Sequence, residues 1–241
     1  MSALLYRGIS LIDRSTEIVV LGIKNSSNRK TGPMLQTHIL RADVDPVAAV
    51  KDNLDTAICG DCPHRGVGFK GRSCYVNVAH GPLMAWRHQE SASVTDPTTF
   101  GTGKYIRLGA YGDPAVAPVE FWEELLSGAL GWTGYTHQWH QCDQRLRFYC
   151  MASVESSEGA RAAQAMGWRT YFANDGTKLD DHIECPSYKG VACIDCGACS
   201  GTAGRGHSSI YIPVHGTVPI LRAFANKGLG GVAAPSAICV P

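Results

Sequence analysis

Between residues 104 and 175 the chain alternates between strand-like and helix-like stretches, and this alternation constrains the fold more than any other feature. "KYIRLGAYGDP" (104–114) reads as a strand closing in a Gly-Asp-Pro turn, and "VEFWEELLSGAL" (119–130) carries the helical spacing of Phe121, Leu125 and Leu126. "WTGYTHQW" (132–139) and "LRFYCMASV" (146–154) read as the next two strands. "SSEGARAAQAMGW" (156–168) reads as a helix with a serine cap, and "RTYFAND" (169–175) as a fourth strand. Upstream, "EIVVLGIK" (17–24) is a β-branched strand followed by the polar turn "NSSNRKTGP", and "DPVAAVKDNL" (45–54) is a short helix with Asp45 as its cap and Pro46 at its first position. Strands and helices at this spacing predict an α/β protein whose parallel sheet is open or curved. We expect a partial (β/α) barrel over residues 1–180, with a cysteine-rich segment, 181–241, packed on it.

Composition narrows the function classes. At 241 residues and 44% hydrophobic content the chain buries a core without needing disulfides. A formal net charge of +1 supplies no global attraction to nucleic acid or to an acidic membrane. Charges interrupt the apolar runs of the N-terminus before the length of a signal-peptide core, and no segment approaches the apolar length of a membrane span. The expected setting is therefore the cytoplasm, with no membrane partner. In that reducing compartment ten cysteines, clustered among Gly, Pro and Asp, are expected to be metal ligands or redox groups rather than disulfides.

Seven of those cysteines fall in two groups. Cys59, Cys62 and Cys74 form C-x2-C-x11-C in a Gly-rich basic loop, and Cys185, Cys193, Cys196 and Cys199 form C-x7-C-x2-C-x2-C. Two-residue spacing lets neighbouring thiolates converge on one inorganic centre. Three thiolates so close together favour a [4Fe–4S] cluster, one or two per chain, over a structural zinc, which usually pairs separate knuckles. A cluster on the first triplet alone would leave one iron open to substrate, unless Cys142, Cys150 or His64 completes the set. His64, Arg65, Lys70 and Arg72 make this loop basic, either to stabilise an anionic cluster or as solvated charge.

In parallel α/β proteins the chemistry collects at the carboxyl ends of the strands. The residues there are Gly112 and Asp113, then Thr136, His137 and His140, then Ser153 and Glu155, then Asn174 and Asp175. Among these, Asp, Asn, Gly and Ser are also the commonest turn residues. Gly112, Asp113, Glu155 and Asn174 are the candidate cofactor-binding residues. Asp113 is expected to accept a hydrogen bond from a cationic or amino ligand, and His137 to move a proton.

The segments "CGDCPHRG…RSCYVN", "LGAYGDP" and "ECP…GVACIDCGACSG…IYIPVHG" resemble an uncharacterised, largely phage-encoded cysteine-rich family similar to gene product 88 proteins, over roughly residues 55 to 216. The organisation of that family is in turn similar to radical-SAM enzymes. The resemblance implies that Cys59, Cys62 and Cys74 hold the cluster, and that Gly112, Asp113 and Pro114 form the turn receiving the amino group of S-adenosylmethionine. It also implies that the later cysteines serve an auxiliary cluster, in a host cytoplasm. The first triplet departs from the C-x3-C-x2-C spacing of that superfamily.

Three functional expectations result. One is an iron–sulfur redox or radical enzyme with an open cluster, an unknown substrate and an electron donor. The second is a non-catalytic iron–sulfur electron carrier or partner-binding protein. The third is a zinc-stapled module binding nucleic acid through phosphate contacts from His64, Arg65, Lys70 and Arg72.

Overall fold

The computed structural model describes residues 2–24, 28–174 and 178–228. Asp175, the middle of the turn after residue 24, and the residues beyond 228 lie outside the described residues. In chain order the elements are β1 (Ser2–Ile9), β2 (Glu17–Ile23), β3 (Leu35–Arg41), α1 (Pro46–Lys51), α2 (Thr56–Cys59), α3 (Gly81–Arg87), β4 (Ser93–Val94) and α4 (Pro97–Gly101). They continue with β5 (Tyr105–Tyr111), α5 (Val119–Leu126), β6 (Gly131–Thr133), β7 (Tyr135–Thr136), β8 (Met151–Val154) and α6 (Ser157–Ala165). The chain then runs through β9 (Thr170–Asn174), β10 (His182–Glu184), α7 (Cys193–Cys196), β11 (Ser209–Pro213) and α8 (Val218–Ala225).

One sheet has the order β4-β1-β2-β3-β5-β6 and the other β10-β11-β9-β8-β7. A single residue, Gly134, separates β6 from β7, so one stretch of chain serves both sheets. The break has a local cause. The Gly134 N–H bonds the carbonyl of Cys199 at 2.9 Å, and a Cβ on Gly134 would lie 2.7 Å from the sulfur of Cys150. From β3 onward every pairing is parallel: β3 with β5, β5 with β6, β7 with β8, β8 with β9, β9 with β11 and β11 with β10. The strand order ends at β4 on one side and β10 on the other, so no closed barrel forms among the described residues.

The α/β class and the dominance of parallel pairing are as expected, with two differences. The chain opens with an antiparallel meander, β1 with β2 and β2 with β3, so the sheet is mixed rather than parallel. The segment after residue 180 also contributes strands to the sheet. β11 lies between β9 and β10, and the late segment is woven into the sheet rather than laid on it.

The helices follow from local chemistry. Asp45 caps α1 by accepting the N–H groups of Val47 and Ala48, with Pro46 in the first turn, and Ser156 caps α6 through the N–H of Gly159. α5 buries Phe121, Trp122, Leu125 and Leu126 in one core with Ile18, Leu21, Ile39, Ile106 and Leu108 of the strands. At roughly 1.5–3 kcal/mol per fully buried large apolar side chain, this core fixes the strand register. The register in turn fixes which residues reach the carboxyl rim.

Candidate metal centres at the strand rim

The first cysteine triplet comes from the connection after β3, the first strand of the parallel run. Cys59 ends α2, and Gly60 follows with φ 57°, where a side chain would collide with the amide of Gln138. Gln138, buried just beyond β7, donates from Nε2 to the Cys59 carbonyl at 3.1 Å. The Asp113 N–H bonds the Ile58 carbonyl at 2.7 Å. Two rim residues thus pin the cysteine loop over the ends of β5 and β7.

The thiols converge electrostatically. Burial pushes the Cys59 thiol well above its ordinary value, and the neighbouring Cys62 and Cys74 push it further. Burial likewise raises Cys74, against the pull of the Arg72 guanidinium. Buried thiols in mutual repulsion ionise together only beside a cation, which is the requirement of a metal centre. Among the described residues no three thiols stand within 4.8 Å of one another. Thiolates on one tetrahedral zinc stand about 3.8 Å apart, given Zn–S bonds near 2.3 Å. A cluster spreads its thiolates more widely, over the corners of an inorganic core. Cys59, Cys62 and Cys74 are the thiols this loop offers to a metal.

His137 follows β7 and its side chain lies beside Cys62 and Glu155; burial opposes its charge, but these anionic neighbours hold it well above its ordinary value. Glu155, one residue past β8, receives Nε2 of His137 at 3.1 Å and Nε2 of His64 at 3.0 Å, both on the same oxygen, Oε1. Burial works to raise Glu155, but these two contacts outweigh it and hold the carboxyl down at about 2. His64 is itself buried, with Nδ1 2.9 Å from Ser73 Oγ and its ring stacked on Phe224 of α8 at 5.7 Å. His137 thus lies between Cys62 of the triplet and Glu155 at one rim.

Asp113 is engaged by its own fold. Its Oδ1 accepts from the Ala115 N–H at 3.0 Å and the Thr136 hydroxyl at 2.7 Å, and its Oδ2 accepts from the His137 N–H at 2.8 Å. At 6% exposure it is a buried brace between the β5 turn and β7, not an acceptor aimed at a ligand. Gly112 has φ 80°, and a Cβ there would lie 2.7 Å from the Ile39 carbonyl, so this glycine serves close packing against β3. Three of the acceptor positions of the Asp113 carboxylate are thus taken up within the fold. Asn174 is buried at the end of β9, where its carbonyl accepts the Val214 N–H at 2.7 Å. His140 points away and faces Asp61 at 3.4 Å on the surface.

The basic loop also turns inward. Arg65 binds the buried Asp55 at 2.7 Å and Asn53 at 2.7 Å, Arg72 lies 3.8 Å from Asp55, and His64 is committed to Glu155. Of the four expected phosphate contacts only Lys70 is exposed. This geometry removes most of the support for a nucleic-acid surface.

The C-terminal cysteines form a separate group. Burial raises Cys199 to about 12, with a hydrogen bond from Tyr135 opposing and Cys185 and Cys193 adding to the rise. Burial also raises Cys193, which feels Cys185 and Cys196, while the Arg107 guanidinium pulls it down. Arg107 lies over the Tyr135 ring at 4.6 Å, placing a fixed cation beside the thiols. The surrounding loop is held by Arg169, which bonds the carbonyls of Gly201 at 2.7 Å, Ala198 at 2.7 Å and Ser208, and by Trp132, whose indole N–H bonds the Ser200 carbonyl at 2.9 Å. A groove beside Cys193, lined by Met34, Tyr105, Trp132 and Arg205, lies by this second centre and away from the rim.

Sequence reasoning missed Ser73, Gln138, Arg107 and Tyr135 as site residues. Arg107 carried a usable signal: a charge inside an otherwise apolar strand, flanked by Ile106 and Leu108. Among the described residues no helix is long and apolar enough to cross a membrane. Compared with known protein families, curated proteins and solved structures, the chain matches none.

Proposed function

We propose that this protein is an iron–sulfur redox protein whose first centre, a [4Fe–4S] cluster on Cys59, Cys62 and Cys74, works at the carboxyl rim of a sheet curved as a partial (β/α) barrel. The observation that carries this reading is that Cys59, Cys62 and Cys74, all half-buried, share the connection after the first parallel strand, where Cys62 and Cys74 lie close enough to Cys59 to push its thiol up. The run of parallel strands from β3 to β10, with β6 and β7 shared between the two sheets, supports the barrel-like curvature. When bound, the cluster supplies one-electron chemistry with an iron free of protein thiolate. The chain's own part is to hold His137 and Glu155 beside it, with Lys227 and Arg72 as nearby cations that favour the thiolate charge. The Cys185, Cys193, Cys196 and Cys199 set is read as a second, structural centre around Arg107.

Anaerobic purification followed by iron, acid-labile sulfide and zinc analysis tests this reading. Iron and sulfide well above zinc, with absorbance near 400 nm lost in Cys59→Ser, is the expected result. Stoichiometric zinc without sulfide would overturn it. Reductive cleavage of S-adenosylmethionine then separates a radical enzyme from an electron carrier, and the occupied carboxylate of Asp113 favours the carrier.

A further inference from the structure

We infer that His64, His137 and Glu155 form a second metal site at the rim, adjacent to the cysteine triplet but using no thiol, for one six-coordinate divalent ion such as ferrous iron or manganous ion. The three ligand atoms come from three elements, the loop after α2, the end of β7 and the end of β8, and all lie within 4.8 Å of one another.

The geometry narrows the coordination. Nε2 of His64 stands 3.0 Å and Nε2 of His137 stands 3.1 Å from a single carboxylate oxygen, Oε1 of Glu155. Ligand atoms bound at about 2.1 Å lie about 3.0 Å apart when cis on an octahedral ion, and about 3.4 Å apart on a tetrahedral one. Two imidazoles and one carboxylate leave three positions of a six-coordinate ion for water or substrate, a donor set that suits non-haem ferrous iron.

The supporting contacts have the form that metal-binding histidines require. His64 Nδ1 is fixed by Ser73 Oγ at 2.9 Å, which sets the ring so that Nε2 points to the site. The His137 backbone is held by Asp113, and the His64 ring is covered by Phe224. The side chains of His64, Glu155 and His137 are 11%, 13% and 20% exposed, so the site is sheltered but opens on the His137 side.

Manganous ion is the probe, because it prefers nitrogen and oxygen donors and avoids the thiols. Titration followed by the EPR signal of free Mn(II) should show about one ion bound per chain, displaced by ferrous iron. Glu155→Gln and His64→Gln should each abolish that binding, and Ser73→Ala should weaken it by about 10- to 100-fold. Two substitutions on different elements guard against misfolding of either one, which circular dichroism monitors. Binding should survive Cys59→Ser, so failure of this site and failure of the cluster assignment can be told apart. No binding by the parent chain, binding that persists in both Glu155→Gln and His64→Gln, or binding lost in Cys59→Ser would each overturn the proposal.

Discussion

Replacing Asp113 by Asn distinguishes a brace from a ligand-binding carboxylate. The substitution is nearly isosteric, so steric effects are small and the change falls on three hydrogen bonds. If the amide oxygen takes the place of Oδ1, the bonds to the Ala115 N–H and the Thr136 hydroxyl survive without their ionic component. The amide nitrogen then replaces Oδ2 and confronts the His137 N–H, which now stands 2.8 Å from another donor. Losing a charge-assisted bond costs about 1.5–3 kcal/mol, and a buried donor left without an acceptor about 1–3 kcal/mol. Allowing for overlap between the two, the expected destabilisation is about 2–4 kcal/mol. In a chain of 241 residues that lowers Tm by roughly 5–15 °C. Thermal unfolding followed by circular dichroism reads the shift directly, and Asp113→Ala, which removes all three acceptor contacts, should be worse. An Asp113→Asn protein that melts with the parent but loses ligand binding would refute the brace and restore a contact with ligand.

The remaining predictions probe other parts of the argument. His38 is buried with no hydrogen-bond partner for Nδ1, and burial lowers its pKa to about 4. Because the folded value lies below the ordinary one near 6.5, its contribution is fully present above pH 6.5 and is lost as pH falls toward 4. The loss reaches about 3 kcal/mol, and His38→Leu should flatten that part of the stability–pH curve; an unchanged curve would count against it. Gly112→Ala places a Cβ against the Ile39 carbonyl at a positive φ and should destabilise by more than about 2 kcal/mol, measured by urea denaturation. Cys196→Ala should lower soluble yield and Tm together, since metal binding supplies folding free energy to the loop around it; a variant as stable as the parent would show that the second centre is not structural.

What the sequence made legible follows the physics of each signal. The strand–helix alternation from β5 to β9 was readable because periodicity and caps are local properties: Ser156 caps α6 and Asp45 caps α1 where the sequence places them. The antiparallel opening was legible only in part: the polar turn after residue 24 suits a hairpin, and β2 does pair antiparallel with β3, but the pairing of β1 with β2 is decided by long-range packing, and no Asn-Gly or Asp-Gly turn advertises it. "LRFYCMASV" looked like one strand because apolar residues run through it, but Gln144–Phe148 is a 3-10 turn capped by Asp143, and only Met151–Val154 enters the sheet. At the rim, the positions of His137 and Glu155 just past β7 and β8 were legible because strand ends can be read from the local pattern.

Asp113 shows where that reasoning stops. A carboxylate in a Gly-Asp-Pro turn at a strand end has the same sequence appearance whether it faces a ligand or its own backbone. The outcome depends on whether neighbouring donors reach it first. Here Thr136 and the His137 N–H come from β7 and the residue after it, twenty-odd positions away, and their arrival depends on the register between β5, β6 and β7. The same register that takes Asp113 out of the ligand-binding set puts His137 into it, since the carboxylate holds the backbone from which His137 reaches Glu155. Asp113 is therefore a positioning residue. Its replacement should disturb the metal affinity of the His64, His137 and Glu155 set as well as Tm, whereas Gly112→Ala should act on Tm through the Ile39 contact. Measuring Mn(II) affinity in Asp113→Asn at a temperature where the protein remains folded separates the two effects, and parent-like affinity there would break the link between brace and site.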